Sequence, residues 1–155
     1  MFAQTNHIYG ELFGPGLFSS INYERDLSLE KKVFVRMGYG FFSMTTTGLI
    51  ASTKLSINPL ILGVHKYWGN KWRFEVGGGI SYWMIKLEGD NMLDFSGLNF
   101  DFEGSYPMYY ASLGLRYQNP EGGLTMKLGL SPTIVSAEGQ SASIISPHVG
   151  IGYAF

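Results

Sequence analysis

Cysteine is absent from this chain, so it can build neither a disulfide framework nor a thiolate metal site. No run approaches the ~18 to 20 apolar residues of a membrane-crossing helix. Charge is scarce: Asp, Glu, Lys and Arg make up 15% of the residues, against ~25% in ordinary soluble domains. Neither sign dominates. A formal net charge of -1 and a pI near 6.3 give no electrostatic footprint for nucleic acid as a partner. Helical periodicity is missing too, since apolar residues at three- and four-residue spacing are nowhere sustained. No exact internal repeat and no complete signal peptide is visible. Met1-Phe2-Ala3 reads either as the tail of a signal peptide or as an ordinary start, and residues 1–6 are set aside as an N-terminal extension.

What the chain does have is glycine, 21 of 155 residues, aromatics at 15%, and strict alternation. In Ser146 to Phe155, Val149, Ile151, Tyr153 and Phe155 share one parity, while His148, Gly150, Gly152 and Ala154 share the other. Successive strand residues point to opposite faces, so one face is apolar and the other small or polar. With so little bulk on the second face, the apolar face is expected to point outward, toward lipid. The chain also stops on an aromatic residue, as transmembrane β-barrels commonly do.

The same alternation recurs in His7 to Phe13, Leu17 to Glu24, Val33 to Met44, Lys54 to Trp68, Trp72 to Lys86, Tyr106 to Gln118 and Leu124 to Val135. Gly14-Pro15-Gly16, Gly69-Asn70-Lys71 and Asn119 to Gly123 are turn signals, and Pro59 predicts a bulge. Residues 7–155 are therefore expected to form one domain: an eight-stranded antiparallel up-and-down transmembrane β-barrel. Thr45 to Thr53, Leu87 to Ser105 and Ser136 to Ser143 read as longer connections at the opposite end from the tight turns Gly69 to Lys71 and Asn119 to Gly123, with Gly14–Gly16 a fourth, very short connection beside them. That asymmetry matches outer-membrane barrels, with the chain ending on the periplasmic side.

The polar face collects Glu11, Asn22, Glu24, Arg36, Arg73, Glu75, Arg116, Lys127 and His148. Eight strands enclose a lumen only wide enough for side chains, so charges there must pair. A network of Glu11, Glu24 and Glu75 with Arg36, Arg116 and Lys127 is expected as a polar core, and an ion path is the sharper alternative. His148 invites a catalytic reading with Ser146 on the same face, but no local motif ties a nucleophile to it. The stretch Leu87 to Ser105 carries Glu88, Asp90, Asp94, Asp101 and Glu103, whose spacing fits no calcium loop. It also carries Met92, Leu93, Phe95, Leu98 and Phe100, a candidate partner-contact surface. Because Asn99 to Glu103 alternates, extension of the flanking strands is the plainer reading. Tyr67, Trp68, Trp72, Tyr82, Trp83, Tyr106, Tyr109, Tyr153 and Phe155 suit interfacial belts.

Four stretches carry a family resemblance: Phe18 to Glu24, Trp72 to Gly77, Gly114 to Gly123 and Gly150 to Phe155. Across nearly its whole length the chain resembles the small outer-membrane barrel proteins of Bacteroidota, OmpA/OmpX-like in size. The resemblance implies a bacterial outer-membrane location and supplies no catalytic residues, cofactor or metal. It also implies that Tyr153 and Phe155 signal to the barrel-assembly machinery, and that some such barrels join other outer-membrane proteins. The function expected is structural or accessory. A small gated channel, a lipid-modifying enzyme using His148 and a soluble lipocalin-type barrel follow in that order.

The face assignment is testable at Leu113, on the apolar parity. Leu113→Arg is expected to block barrel assembly, because a charge at mid-membrane costs ~2 to 4 kcal/mol. A heat-modifiability gel after refolding into vesicles reads this, and normal folding of the variant would put Leu113 inside.

Overall fold

A computed structural model describes residues 6–28, 30–47, 51–91, 100–137 and 140–155. It contains β1 (Asn6–Phe13), β2 (Ser19–Ser28), β3 (Val33–Gly40), β4 (Phe42–Thr47), β5 (Ala51–Gly69), β6 (Trp72–Asn91), β7 (Phe100–Gln118), β8 (Gly123–Ala137) and β9 (Gln140–Ala154). One short 3-10 turn, Gly14–Gly16, joins β1 to β2. Among the described residues no helix is long and apolar enough to cross a membrane.

Neighbouring strands are antiparallel, β1 pairs with β9, and β3 as well as β4 pairs with β5, so the sheet closes on itself. β3 and β4 are two parts of one physical strand. Tyr39 faces Leu60 and Phe42 faces Ile57 in a single register, so no residue is inserted between them. The bulge expected at Pro59 does not form. Pro59 has no N–H to donate, and the ladder merely lapses there. The result is an eight-stranded barrel.

The stagger follows from the pairings. Ile8 is level in turn with Tyr23, Met37, Leu62, Ile80, Tyr109, Ile134 and Ser143. Ser143 lies five residues before His148, the partner of Phe13, so the circuit returns ten residues along the chain from Ile8. Such a shear tilts the strands and, with eight of them, leaves room inside for side chains only.

Parity decides what enters that space. On β7, Tyr110, Ser112, Arg116 and Gln118 are buried, while Tyr109, Ala111, Leu113 and Leu115 are exposed. On β8, Thr125, Lys127 and Ser131 are buried, whereas Leu128 is 63% exposed. The exposed large apolar side chains run round the whole wall, from Ile8 and Ile21 through Leu62, Val76 and Leu113 to Ile151. The tight turns at one end use glycine where φ turns positive, at Gly69 (φ 109°) and Gly122 (φ 94°).

The opposite end departs from expectation at Thr45 to Thr53 and Ser136 to Ser143, and agrees with the strand extension expected within Leu87 to Ser105. Most of the three stretches read as long connections is strand: β4 reaches Thr47, β6 reaches Asn91, β7 starts at Phe100 and β9 at Gln140. At the tight-turn end, β2 continues to Ser28, into the charged stretch Arg25 to Lys32, which by sequence reads as a short connection. At the opposite end, cross-strand pairs extend the ladder, with Lys54 to Glu88 at 3.7 Å and Lys86 to Glu103 at 3.8 Å. Here the polarity of the two faces swaps while the parity persists. Ile85 and Leu87 turn inward and Lys86 and Glu88 outward, as do Leu55 and Ile57 against Lys54.

The β1–β2 hairpin does not share this height. Among the described residues, no strand lies beside β4 or beside β9 above His148 on that side. A notch two strands wide opens there, and Ile144 and Ile145 of β9 are both exposed, at 56% and 66%.

Inward glycines make the room the long side chains need. A Cβ at Gly38 would lie 2.1 Å from the Oδ1 of Asn22. Gly38→Leu is expected to lower stability by about 1 to 3 kcal/mol through overpacking. The urea midpoint of the vesicle-embedded barrel measures it, and an unchanged midpoint would mean the lumen has slack.

Candidate functional site

The interior of the barrel is a stack of buried polar side chains. Nearest the tight turns, Arg73 donates to Gln118 Oε1 at 2.9 Å and to the carbonyl of Asn70 at 2.9 Å, with its guanidinium 4.5 Å over the Tyr67 ring. Gln118 Nε2 and His7 Nε2 are 3.3 Å apart. Asp26 is buried in the same region.

The centre is an ion-pair cluster. Arg116 pairs with Glu24 and, through Nε at 2.5 Å, with Glu75. Lys127 Nζ reaches Glu24 at 3.1 Å and Glu75 at 3.3 Å. Tyr9 binds the cluster together: its hydroxyl donates to Glu24 Oε1 at 2.6 Å, and its ring lies under Lys127 at 4.7 Å, Arg36 at 5.6 Å and Arg116 at 6.0 Å. Above it, Arg36 pairs with Glu11 at 2.6 Å and donates twice to Asn22 Oδ1, at 3.0 and 2.8 Å. Asn22 passes a hydrogen bond to Ser20 Oγ at 2.9 Å. His65 stacks on Phe34 with ring centroids 5.1 Å apart.

The turn between β1 and β2 closes the stack from above. Gly14, Pro15 and Gly16 are buried, and Ser81 Oγ donates to the Pro15 carbonyl at 2.8 Å. Ser131 Oγ and His148 Nδ1 lie 3.0 Å apart beneath this turn. A Cβ at Gly14 would sit 3.0 Å from both Glu11 Oε1 and His148 Cβ. The chain's own turn thus fills the space that a substrate would need beside that imidazole.

The buried carboxylates are Glu11, Glu24, Asp26 and Glu75; the buried cations are Arg36, Arg73, Arg116 and Lys127. Their formal charges cancel. Six of them are held in ion pairs, Arg73 bonds to neutral groups, and the side chains of Arg36, Glu11 and Glu24 are 0% exposed. Among the described residues, no three His, Cys, Asp or Glu side chains gather as a metal site.

No protein-family model matches the chain, and no curated protein matches it in sequence. Solved structures do match in shape. A major outer membrane protein from Thermus thermophilus aligns with a TM-score of 0.67 at 13% identity, covering 99% of each chain. Ail, the attachment invasion locus protein of Yersinia pestis, aligns with a TM-score of 0.64 at 11% identity over 100% of each. The N-terminal β-barrel domain of Pseudomonas aeruginosa OprF gives 0.58 at 16% identity, covering 97% of this chain and 96% of that one. The fold is that of the small outer-membrane β-barrels.

In this barrel the structure brings Glu11, Asn22, Glu24, Arg36, Glu75, Arg116 and Lys127 into one connected cluster. Arg73 lies toward the tight turns and His148 under the β1–β2 turn, each with partners of its own. The hydroxyl at His148 belongs to Ser131, across the β8–β9 ladder, and not to Ser146. Tyr153 and Phe155 are exposed on the outer wall, and the Phe155 backbone exchanges two 2.8 Å hydrogen bonds with Asn6. Met92, Leu93, Phe95 and Leu98, and the side chain of Phe100, lie outside the described residues.

Three belt aromatics turn out otherwise: Tyr67 is buried inside, Trp83 points inward, donating to Ser81 Oγ at 3.0 Å, and Tyr106, the cross-strand partner of Trp83, shares its inward parity. Sequence reading passes over Tyr9, Asp26, Gln118 and Ser131. Each shares parity with a lumen residue already recognised on its strand, namely Glu11, Glu24, Arg116 and Lys127. Parity alone would have found them.

Glu24 holds two cations and a hydroxyl. Glu24→Gln is expected to cost about 3 to 5 kcal/mol by leaving Arg116 and Lys127 undercompensated in the interior. Lys54→Gln, at an exposed pair, is expected to cost ~1 kcal/mol or less. Urea titration of both variants in vesicles compares them, and equal midpoints would contradict a load-carrying lumen cluster.

Proposed function

We propose that this chain is an integral protein of the bacterial outer membrane with a structural or accessory role, its lumen a packed core and no conduit. The observation that carries this reading is the continuous outward belt of large apolar side chains on every strand. A monomeric water-soluble protein rarely exposes an apolar patch beyond a few hundred Å². In lipid, each of these side chains is in its preferred surroundings, and the closed ladder pairs the backbone from strand to strand. Trp68, Trp72, Tyr153 and Phe155 toward one end, and Tyr39, Tyr82 and Tyr109 toward the other, are the exposed aromatics of a belt with two borders. The fold likeness supports the same reading.

With the termini on the periplasmic side, the tight turns are periplasmic and the tall β4–β7 wall stands outside. The swap of polarity on β5 and β6 then marks where the wall leaves lipid for water. The accessory role rests on the notch. Its floor carries Phe18 stacked on Phe42, with ring centroids 4.1 Å apart, and strand edges with main-chain donors and acceptors flank it. A partner in the outer membrane or beyond it has a surface there to join. Tyr153 and Phe155 serve the assembly machinery before the β1–β9 seam closes.

The expected behaviour is insertion into phosphatidylcholine vesicles with no steady unitary conductance in planar bilayers across a range of voltage. Folding to a monodisperse monomer in plain buffer would end the membrane reading. A stable open conductance would replace the packed-core reading with a channel.

A further inference from the structure

The periplasmic rim carries a feature that the lumen and the belt do not use. A groove of about 420 Å³ is lined by Glu30, Lys31, Lys32, Val33, Lys66, Tyr67 and Trp68. Three lysines and a single glutamate thus line one recess. Lys32 takes the left-handed backbone conformation, φ 54°, uncommon for a residue with a long side chain. Its carbonyl accepts from Tyr67 N at 3.0 Å, and its Nζ donates to the Gly69 carbonyl at 3.4 Å, which fixes the β2–β3 connection against the β5–β6 turn. Lys66 stands directly across from Val33, with its Nζ 5.5 Å from the Trp68 ring centroid.

A second recess of about 470 Å³ lies farther up the outside of the same strands, lined by Val35, Met37, Leu62, Val64 and Ile80 with Gly63, Gly78 and Gly79. Val35 and Val64 face each other one outward step beyond Val33 and Lys66. Gly78 pairs with Val64 and presents no side chain between Val76 and Ile80, so the wall is hollow there. A cationic cradle is followed along the same outward face by an apolar furrow.

We infer that β3, β5 and β6 hold an anionic phospholipid of the inner leaflet, its phosphate on Lys31, Lys32 and Lys66 and an acyl chain in the furrow over Gly78. The inference rests on the membrane reading above and its orientation. Charge complementarity names the headgroup: the lysine excess in the recess matches an anionic phosphodiester and discriminates against a zwitterion, which brings its own cation. The spacing of cradle and furrow along one face matches a headgroup with its chain, and a free anion would leave the furrow unused.

The test uses protein refolded into phosphatidylcholine vesicles doped with phosphatidylglycerol, then extracted in mild detergent for native mass spectrometry of retained lipid. Phosphatidylglycerol is expected to be enriched over phosphatidylcholine on the wild type. The triple variant Lys31→Gln, Lys32→Asn, Lys66→Gln is expected to lose that preference, at roughly fivefold per lysine. Val64→Trp, which fills the furrow from an exposed position, is expected to weaken retention with the lysines intact. Lys86→Gln, at the other end, is expected to change nothing. Equal enrichment on wild type and triple variant would overturn the inference, as would displacement of the lipid by excess inorganic phosphate, which would assign the cradle to a free anion. Insertion of every protein into pure phosphatidylcholine is scored first, so failure of the membrane reading is seen separately from failure of the lipid site.

Discussion

The width of the lumen governs everything else in this barrel. Eight strands at this stagger leave a channel that one layer of side chains fills. Any charge placed inside must therefore find its counter-charge on the facing wall, within a few ångströms. Three carboxylates, Glu11, Glu24 and Glu75, and three cations, Arg36, Arg116 and Lys127, meet that condition, and Tyr9 is the hinge of the arrangement. Its ring offers a π-face to three cations while its hydroxyl donates to the central Glu24. Such a cluster adds little net stability over a well-packed apolar core, because desolvation offsets most of the Coulomb attraction. Its value lies in register. A slip of one residue in β1, β2, β3, β6 or β7 would move Arg or Glu to the apolar outside and apolar side chains to the inside.

This explains why so much of the fold is legible in the chain. Alternation of period two labels both faces of every strand, and the lumen charges Glu24, Glu75, Arg36, Arg116 and Lys127 stand out against glycine and serine on the same parity. Tyr9 does not stand out. An aromatic on the polar face looks like an apolar residue out of place until its ring is seen beneath three cations. Tyr67 misleads in the same way, since an aromatic at a strand end fits an interfacial belt and a lumen wall equally well. Parity separates the two: Tyr67 follows His65 inward, while Trp68 follows Lys66 outward.

The tall wall is harder to read for a different reason. Residues 85–88 still alternate, but their polarity is the reverse of residues 73–84. A reader tracking apolar-out alternation loses the strand at that point and writes a loop. On the membrane reading proposed above, the pattern breaks because the surroundings change: a wall that rises out of lipid into water must show water its polar face. Ile85 and Leu87 then take the inside, where Leu55 faces Leu87 and Ile57 faces Ile85 across β5. Strand Pro59 and its neighbour Gly40 mislead on a smaller scale. A proline within a strand is read as a bulge, but the ladder can also skip one hydrogen bond and keep its register.

A lumen whose groups are consumed by one another leaves the two rims to deal with the rest of the cell. The rims differ in what they offer. At one end the hairpin β1–β2 stops short, so backbone edges and Phe18, Phe42 and Ile144 lie open in a notch sized for strands. At the other end the strands close tightly, and the distinctive feature is a lysine-lined recess below an apolar furrow. The first is the surface proposed for a polypeptide partner and the second the site proposed for a phospholipid. Both follow from one economy of the fold, in which a plugged interior confines recognition to the margins. The short β1–β2 hairpin connects them physically, because its turn is also the plug: Gly14–Gly16 is buried over the Arg36–Glu11 pair, and the same retreat of the chain that seals the lumen opens the notch above it.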